Sequence, residues 1–181
     1  KSKDETKITF IDFAKQAQHK FDKEIRAIRS DNGSEFKNYT LEEFLSDEGI
    51  EQQYSSPYTP QQNGAERKNR TLVEMARSML DEYKSPHSFW AEAVNTACHA
   101  SNRLFLRTIL EKTPYELLTA NKPNVKYFRV FGCKCFILNK RERLGKFQSK
   151  TIEGIFVGYG SNSHAYRVYN KSNGCVVETC D

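Results

Sequence analysis

The chain has 181 residues, with 28 Lys and Arg against 23 Asp and Glu, and a formal net charge of +5. Its 38% hydrophobic and 28% charged residues are typical of a folded globular protein and exclude a disordered chain. No apolar run reaches the roughly 18 residues that a membrane-spanning helix needs, and the N-terminus lacks the apolar segment of a secretory signal.

Alternating helices and strands are predicted for the first two thirds of the chain. Thr40, with Glu43 three residues later, predicts a helix N-cap, and Gly49 predicts the end of that helix. In a later helix, Trp90, Val94, Ala97, Ser101 and Leu104 are predicted to share one buried stripe. The predicted elements are, in order, a helix over 4–24, a strand over 24–29, a helix over 40–50, a short strand from 50, a helix over about 63–83, a helix within 85–104 and a short helix over 113–119.

The character of the sequence changes after Asn121. Runs of aromatic and β-branched residues, separated by Gly, Asn and Ser, occur at intervals of roughly ten residues, which is typical of a small all-β barrel or sandwich. We therefore predict one domain over 1–121 and a β domain over 122–181. Five Cys residues, an odd number without the usual zinc spacing, predict structural thiols in a reduced intracellular protein.

Positive charge is concentrated in one block. Residues 126–150 hold eight Lys and Arg against one acid, so the remainder of the chain has a net charge of −2. Such a block favours nucleic acid or another anionic surface as a partner. The alternative is a solvated face that only keeps a hydrophobic barrel soluble.

Two carboxylates have positions that suit metal chemistry. Asp31 directly follows a predicted strand, and Glu66, 35 positions later, begins a predicted helix. Two acids at the ends of rigid elements can share a divalent cation, and Mg²⁺ prefers oxygen ligands. The favourable effect of the helix dipole on an N-terminal acid is an alternative explanation of Glu66. Arg67, Lys68 and Arg70 follow it and suit phosphate groups.

Several long strings carry a resemblance that covers nearly all of the chain. They are IRSDNGSEF, PYTPQQNGAERKNRTLVEMARSML, FWAEAVNTACHASNRL, KTPYEL, YFRVFGCKCF, GKF and EGIFVGYGSNSHAYRVYN, in this order. Together they resemble the integrase region of copia-type LTR-retrotransposon Pol polyproteins. The resemblance implies an α/β ribonuclease-H-like integrase core, N-terminally truncated and lacking its first strands, followed by a small all-β SH3-like domain. Members of this family join element cDNA to host DNA by transesterification, using an Asp, Asp, Glu triad and Mg²⁺ or Mn²⁺.

The resemblance also assigns roles to residues and partners. Asp31 and Glu66 correspond to the second and third acids of the triad, which are both catalytic residues and metal ligands. The implied loop residues near the active site are Gly33, Gln62, Asn63 and Gly64. The expected nucleic-acid-binding residues are Arg67, Lys68, Arg70, Lys140, Arg141 and Arg143. The expected partners are DNA, further copies of the chain or other segments of the polyprotein, and no membrane; the intact family member is expected in the nucleus or in a virus-like particle.

Two departures from the family pattern affect the expected activity. The first acid of the triad is expected upstream of Lys1, in a longer protein of which this chain, lacking an initiator Met, is a segment. Relatives read NGVAER where this chain reads NGAER at 63–67, which leaves 34 residues between the two acids instead of 35. We therefore expect no activity from the isolated chain. A catalytically dead remnant that binds nucleic acid non-specifically, and a protein interaction module, are the alternatives.

Overall fold

The structure is a computed structural model that describes residues 5–30, 33, 36–55, 64–139, 149–160 and 165–180. Contacts divide the chain into two compact units, residues 1–70 and 71–181. This division falls inside a helix and does not test the predicted domain boundary at residue 122, which stays a prediction.

The first unit contains two helices and a small parallel sheet. Its elements are α1 (Glu5–Phe21), β1 (Ala27–Ser30), α2 (Tyr39–Asp47) and β2 (Glu51–Tyr54). Strands β1 and β2 pair in parallel with Ala27 opposite Glu51. The N–H of Ser55 donates to the carbonyl of Ser30 at 2.9 Å, which extends the pairing to the end of β1. Within the described residues, β1 pairs with no other strand.

Helix α2 forms most of the core of the first unit. Leu41 and Leu45 are buried on one face of α2 and pack with Ile50. The N–H of Ile50 donates to the carbonyl of Leu45 at 2.7 Å, and Gly49 has a positive φ of 66°. This is the glycine-terminated helix end that the sequence predicts. Apolar side chains of α1 and its neighbours surround this core, among them Phe10, Ile11, Ile25, Ile28, Phe36 and Phe44.

The N-cap of α2 differs from the prediction. The side chain of Asn38, not that of Thr40, accepts a hydrogen bond from the N–H of Leu41, at 3.0 Å. Thr40 lies within the first turn, where its side chain is exposed. Asn is at least as good an N-cap as Thr, so the helix begins two residues earlier than a Thr40 cap would allow.

Three further helices follow. They are α3 (Gly64–Glu82), α4 (Trp90–Leu104), which is preceded by a 3₁₀ turn at His87–Phe89, and α5 (Pro114–Thr119). Helix α5 begins with reciprocal hydrogen bonds between Thr113 and Glu116. Among the described residues, no helix has the length and apolar character needed to cross a membrane.

The predicted stripe of α4 is only partly correct. Ala97 and Ser101 are buried, but Trp90 and Leu104 are exposed. The buried face is formed instead by small side chains, which are Ala93, Thr96, Ala97, Ala100 and Ser101. Small residues allow the α4 backbone to approach its neighbour closely.

That neighbour is a four-stranded antiparallel sheet. Its strands are β3 (Lys134–Leu138), β4 (Thr151–Tyr159), β5 (Tyr166–Asn170) and β6 (Cys175–Thr179), and they pair in chain order. The all-β pattern predicted after Asn121 is thus present as a four-stranded sheet. The register between β4 and β5 is irregular between Phe156 and Gly158. A side chain at Gly158, which has a φ of 148°, would lie 2.7 Å from the Thr96 hydroxyl.

Helices and sheet of the second unit share one hydrophobic core. A single buried cluster contains residues from both the helices and the sheet, which are Ala76 and Leu80 of α3, Ala93 of α4, Val157 of β4, and Phe131, which precedes β3. The Thr96 hydroxyl donates to the carbonyl of Val157 at 3.2 Å. The sheet is therefore packed against the helices, not attached to them by a bare linker.

An ion pair reinforces the contact between α4 and the sheet. Arg167 of β5 donates from two nitrogens to the Glu92 carboxylate, at 2.9 and 2.6 Å. The same guanidinium reaches Glu178 of β6 at 3.0 Å. The residues are 75 positions apart in the sequence, so this contact is a product of the fold.

Candidate metal and nucleic-acid-binding site

Glu66 lies in the first turn of α3, as the sequence predicts. Its side chain is exposed, and Gly64 is the first residue of the helix. A side chain at Gly64 would have open space, so steric crowding does not explain a glycine there. The partial positive charge at a helix N-terminus favours a carboxylate at this position. An exposed acid on a regular helix has a defined direction and is accessible to solvent and to large ligands.

The three basic residues after Glu66 do not share one face of α3. At about 100° per residue, Arg70 lies roughly 40° around the helix from Glu66 and one turn further on. Lys68 lies roughly 200° from Glu66, and it is half-buried, whereas Arg67 and Arg70 are exposed. Of the three, Arg70 is therefore best placed to contact a polyanion that approaches Glu66.

The residues around the second acid are described only in part. Ser30, the last residue of β1, is buried, and its carbonyl is fixed by the hydrogen bond from Ser55. The Gly33 carbonyl accepts a hydrogen bond from the N–H of Phe36 at 3.1 Å. Asp31 itself lies outside the described residues. Its distance from Glu66 therefore stays a prediction.

Within the described part of the chain, no group of three or more His, Cys, Asp or Glu side chains is placed to hold a metal ion. Asp31 is not among the residues searched, so a site formed by Asp31 and Glu66 is not tested by this result. The donor types do fit the expected ion, because carboxylate oxygens are the ligands that Mg²⁺ prefers.

Other predicted site residues also fall outside the described ranges. Gln62 and Asn63 precede α3, and Lys140, Arg141 and Arg143 connect β3 to β4. The pairing of these two strands extends to their shared end, where the N–H of Asn139 donates to the carbonyl of Lys150 at 2.7 Å. The three basic residues of this connection lie outside the described residues, so their proposed contact with nucleic acid stays a prediction.

A charged cluster that the sequence analysis did not identify lies on the sheet. The Glu153 carboxylate of β4 pairs with Lys134 of β3 at 2.9 Å and also with Lys171. Hydrogen bonds from Lys171 and then Lys134 lower the pKa of Glu153 to about 2. The alternation of side chains along β3 was the sequence signal that could have placed Lys134 on an exposed face of the sheet. Its pairing with Glu153 depends on strand register, which that signal does not give.

The cysteines do not form disulfides among the described residues. Burial raises the pKa of the Cys133 thiol, and burial followed by the proximity of Cys133 raises the pKa of Cys135 to about 11. Both thiols are therefore protonated and unreactive near neutral pH, as expected of structural cysteines. Cys175 and Cys180 are exposed.

Two protein-family models match the chain. The model described as "Integrase core domain" matches residues 1–60, and the model described as "Retroviral polymerase SH3-like domain" matches residues 133–181. Their order is the predicted one, an α/β integrase core followed by an SH3-like domain. The four-stranded antiparallel sheet lies in the second matched segment.

Curated relatives extend the match over the full chain. The Retrovirus-related Pol polyprotein from transposon TNT 1-94 of Nicotiana tabacum is 37% identical over 182 residues, covering 100% of this chain and 14% of the relative. The corresponding polyprotein from transposon RE2 of Arabidopsis thaliana is 34% identical over 167 residues, covering 92% of this chain and 11% of the relative. The chain thus spans less than a sixth of the length of either relative.

Among solved structures, the chain is similar to one from the simian T-cell lymphotropic virus intasome in complex with PP2A regulatory subunit B56 gamma. The similarity covers 95% of this chain and 61% of that one, with 17% identity and a TM-score of 0.48.

Proposed function

Because the chain belongs to the integrase family of retrotransposon Pol polyproteins, we propose that it is the part of a DNA-joining enzyme that contributes two of three catalytic carboxylates, Asp31 and Glu66. The reaction is the joining of element cDNA to host DNA by metal-dependent transesterification. The observation that carries the proposal is the position of Glu66, exposed in the first turn of α3, with Arg70 one turn further along the same side.

Asp31 and Glu66 are the residues of this chain that would hold a divalent ion, Mg²⁺ or Mn²⁺. When bound, such an ion activates the attacking 3′-hydroxyl and stabilises the charge that develops at the phosphate. Glu66 provides carboxylate oxygens at a position fixed by the helix. Two carboxylates leave the site one short of the family triad, so we expect the isolated chain to be inactive.

Integrases bind DNA, and the basic residues of this chain are proposed to hold the phosphates. Arg67 and Arg70 are exposed on α3. Lys68 is proposed with them, although its half-buried position favours a smaller contribution. In the connection between β3 and β4 we propose Lys140, Arg141 and Arg143, because residues 126–150 concentrate the positive charge of the chain.

A strand-transfer assay with a chain extended upstream tests the catalytic proposal. We expect Mg²⁺- or Mn²⁺-dependent joining of a labelled oligonucleotide, and its loss in Asp31→Asn and Glu66→Gln, because each substitution removes a charged metal ligand without a large change in shape. Glu74→Gln is the matched control, because Glu74 is also exposed on α3, two turns further on. Full activity in Glu66→Gln would remove Glu66 from the site.

The concentration of charge also favours a second candidate, a catalytically inactive remnant that binds nucleic acid non-specifically. In that case DNA binding falls steeply with salt, since each phosphate contact releases counterions, and Asp31→Asn and Glu66→Gln leave it unchanged. Absent or salt-insensitive binding would favour a protein interaction module of the polyprotein instead. A nuclear or virus-like-particle location is proposed from the chemistry alone.

A further inference from the structure

Strand β3 presents apolar side chains to solvent where polar ones are usual. Phe136 is 60% exposed and Leu138 is 47% exposed, and they share one side of the strand with Lys134. The intervening Ile137 is buried on the opposite side. Alternating strands usually direct polar residues outward, so an exposed Phe and Leu in a row indicate a contact surface.

The strand register shows why this surface is open. Directly opposed residues of an antiparallel sheet lie on the same face. In one cross-strand row, Ile155 and Tyr169 pack against the core shared with the helices. The two cross-strand rows that follow on the same face contain Phe136 opposite Glu153 and Leu138 opposite Thr151. Within the described residues, the helices thus cover one end of this sheet face and leave the other end exposed.

We call this exposed end the open face, and it consists of Lys134, Phe136, Leu138, Glu153 and Lys171. The Lys134 ammonium lies 5.3 Å from the centroid of the Phe136 ring. Lys134 and Lys171 both pair with Glu153, so two cations flank one acid beside the exposed ring.

The charge around the open face is positive. Lys150 is exposed and joins the end of β3 through its carbonyl, which accepts from Asn139. Lys134, Lys150 and Lys171 against Glu153 give a local net charge of +2 among the described residues. An exposed aromatic ring among lysines is the combination that binds single-stranded nucleic acid, because bases stack on the ring and lysines contact the phosphates.

We propose that the open face binds unpaired nucleotides of DNA, with one base stacked on Phe136 and the backbone held by Lys134 and Lys171. The choice of DNA rests on the proposed function, but the stacking role is separate from the metal site. An apolar protein partner would match Phe136 and Leu138 but would make no use of the net positive charge around them. Glu153 limits the affinity by neutralising part of this positive charge.

The test measures fluorescence anisotropy of the full chain with three labelled oligonucleotides of equal length: a single strand, the corresponding duplex and an abasic single strand. We expect Phe136→Ala to weaken single-strand binding by roughly 5- to 150-fold, the range of one base–aromatic stack. Binding of the abasic strand should not change, because it has phosphates but no bases. Phe136→Tyr should retain most of the affinity, since it keeps the ring.

Trp90→Ala is the matched control, because Trp90 is 64% exposed in the same compact unit but lies outside the open face. It should leave all three affinities unchanged. Glu153→Gln should strengthen single-strand binding and steepen its salt dependence, since it leaves Lys134 and Lys171 without their acidic partner. Phe136 is exposed, so circular dichroism should show that its variants fold.

An equal loss of single-strand and abasic binding in Phe136→Ala would overturn the stacking role, and so would no loss at all. If Phe136→Ala changes the sedimentation of the chain but leaves DNA binding unchanged, the open face binds a second copy of the chain. This result would also overturn the stacking role. Neither result affects the catalytic proposal, which fails separately if Glu66→Gln retains strand transfer.

Discussion

The two compact units of the chain differ in what they bury and in what they carry. Residues 1–70 contain both proposed catalytic acids, yet they hold only a two-stranded sheet and a small core around Leu41. Residues 71–181 contain the larger share of buried apolar residues and none of the proposed catalytic acids. Folding stability and proposed chemistry are thus concentrated in different parts of the sequence.

Helix α3 is the element that both parts share. Its first turn carries Glu66, and its later turns place Ala76 and Leu80 in the core of the second unit. The boundary between the two units therefore falls between the first turn of α3, which carries Glu66, and the later turns, which pack in the core of the second unit.

The largest expected effect comes from removing a side chain from the shared core. Phe131→Ala should destabilise the second unit by about 3–5 kcal/mol, because Phe131 is 2% exposed within the cluster of helix and sheet residues. Amide hydrogen exchange should show protection lost in α4 and β4 together, with α2 unchanged. Leu41→Ala should give the reverse pattern.

Phe136→Ala serves as the control for Phe131→Ala, because it removes the same side chain from an exposed position and should change stability by less than about 0.5 kcal/mol. Loss of protection in β4 without loss in α4 would contradict a shared core and would make the sheet an independent domain.

A smaller effect is expected from acid, and it is confined to the second unit. The His99 ring stacks on Tyr159 at 4.3 Å between centroids, and its buried Nδ1 has no hydrogen-bond partner among the described residues. Burial, and then the charge of Arg103, lower the pKa of His99 from 6.5 to about 4. The Tyr127 hydroxyl also contacts the ring, 3.4 Å from Nε2.

Between pH 6.5 and 4 the unfolded chain binds a proton at His99 that the folded chain does not. Stability should therefore fall as pH decreases through this window, by about 1–2 kcal/mol after allowance for partial exposure, and should not depend on His99 above it. Urea titrations at a series of pH values measure this slope. His99→Phe should flatten it, and an unchanged slope in that variant would exclude His99 as its source.

The smallest effect concerns a helix end in the first unit. Asn38→Ala should cost about 1 kcal/mol, because it removes the side-chain acceptor for the Leu41 N–H. Thr40→Ala should cost much less, since Thr40 is exposed and is not the cap. Thermal unfolding of both variants distinguishes these residues, and a larger loss in Thr40→Ala would restore the prediction made from the sequence.

Local structure was largely predictable because its causes are local. The helix end at Gly49 and the capping of α5 by Thr113 follow from neighbouring residues. The choice of Asn38 over Thr40 was missed because both are good caps and lie two residues apart. Trp90 was assigned to the core from its spacing, but α4 packs through its small residues, which place its backbone too close to the sheet for a large side chain.

Contacts that depend on strand register were not predictable from local pattern. Arg167 and Glu92 meet only because β5 packs beside α4. Phe136 lies opposite Glu153, which pairs with Lys171, only because β3, β4 and β5 pair in chain order. The proposed catalytic pair has the same character. The family resemblance gives the sequence positions of Asp31 and Glu66. The distance between their carboxylates stays a prediction, because Asp31 lies outside the described residues.

The close approach of α4 to the sheet has a consequence for reading mutational tolerance. At Gly158 an added methyl group would meet the Thr96 hydroxyl, and Ala93 and Ala97 have no exposed surface into which a larger side chain could turn. A saturation survey of variants should find that these positions tolerate substitution as poorly as catalytic residues usually do. Sensitivity there would reflect the narrow gap between two backbones, and chemical roles should be sought among positions where substitution abolishes activity but spares folding.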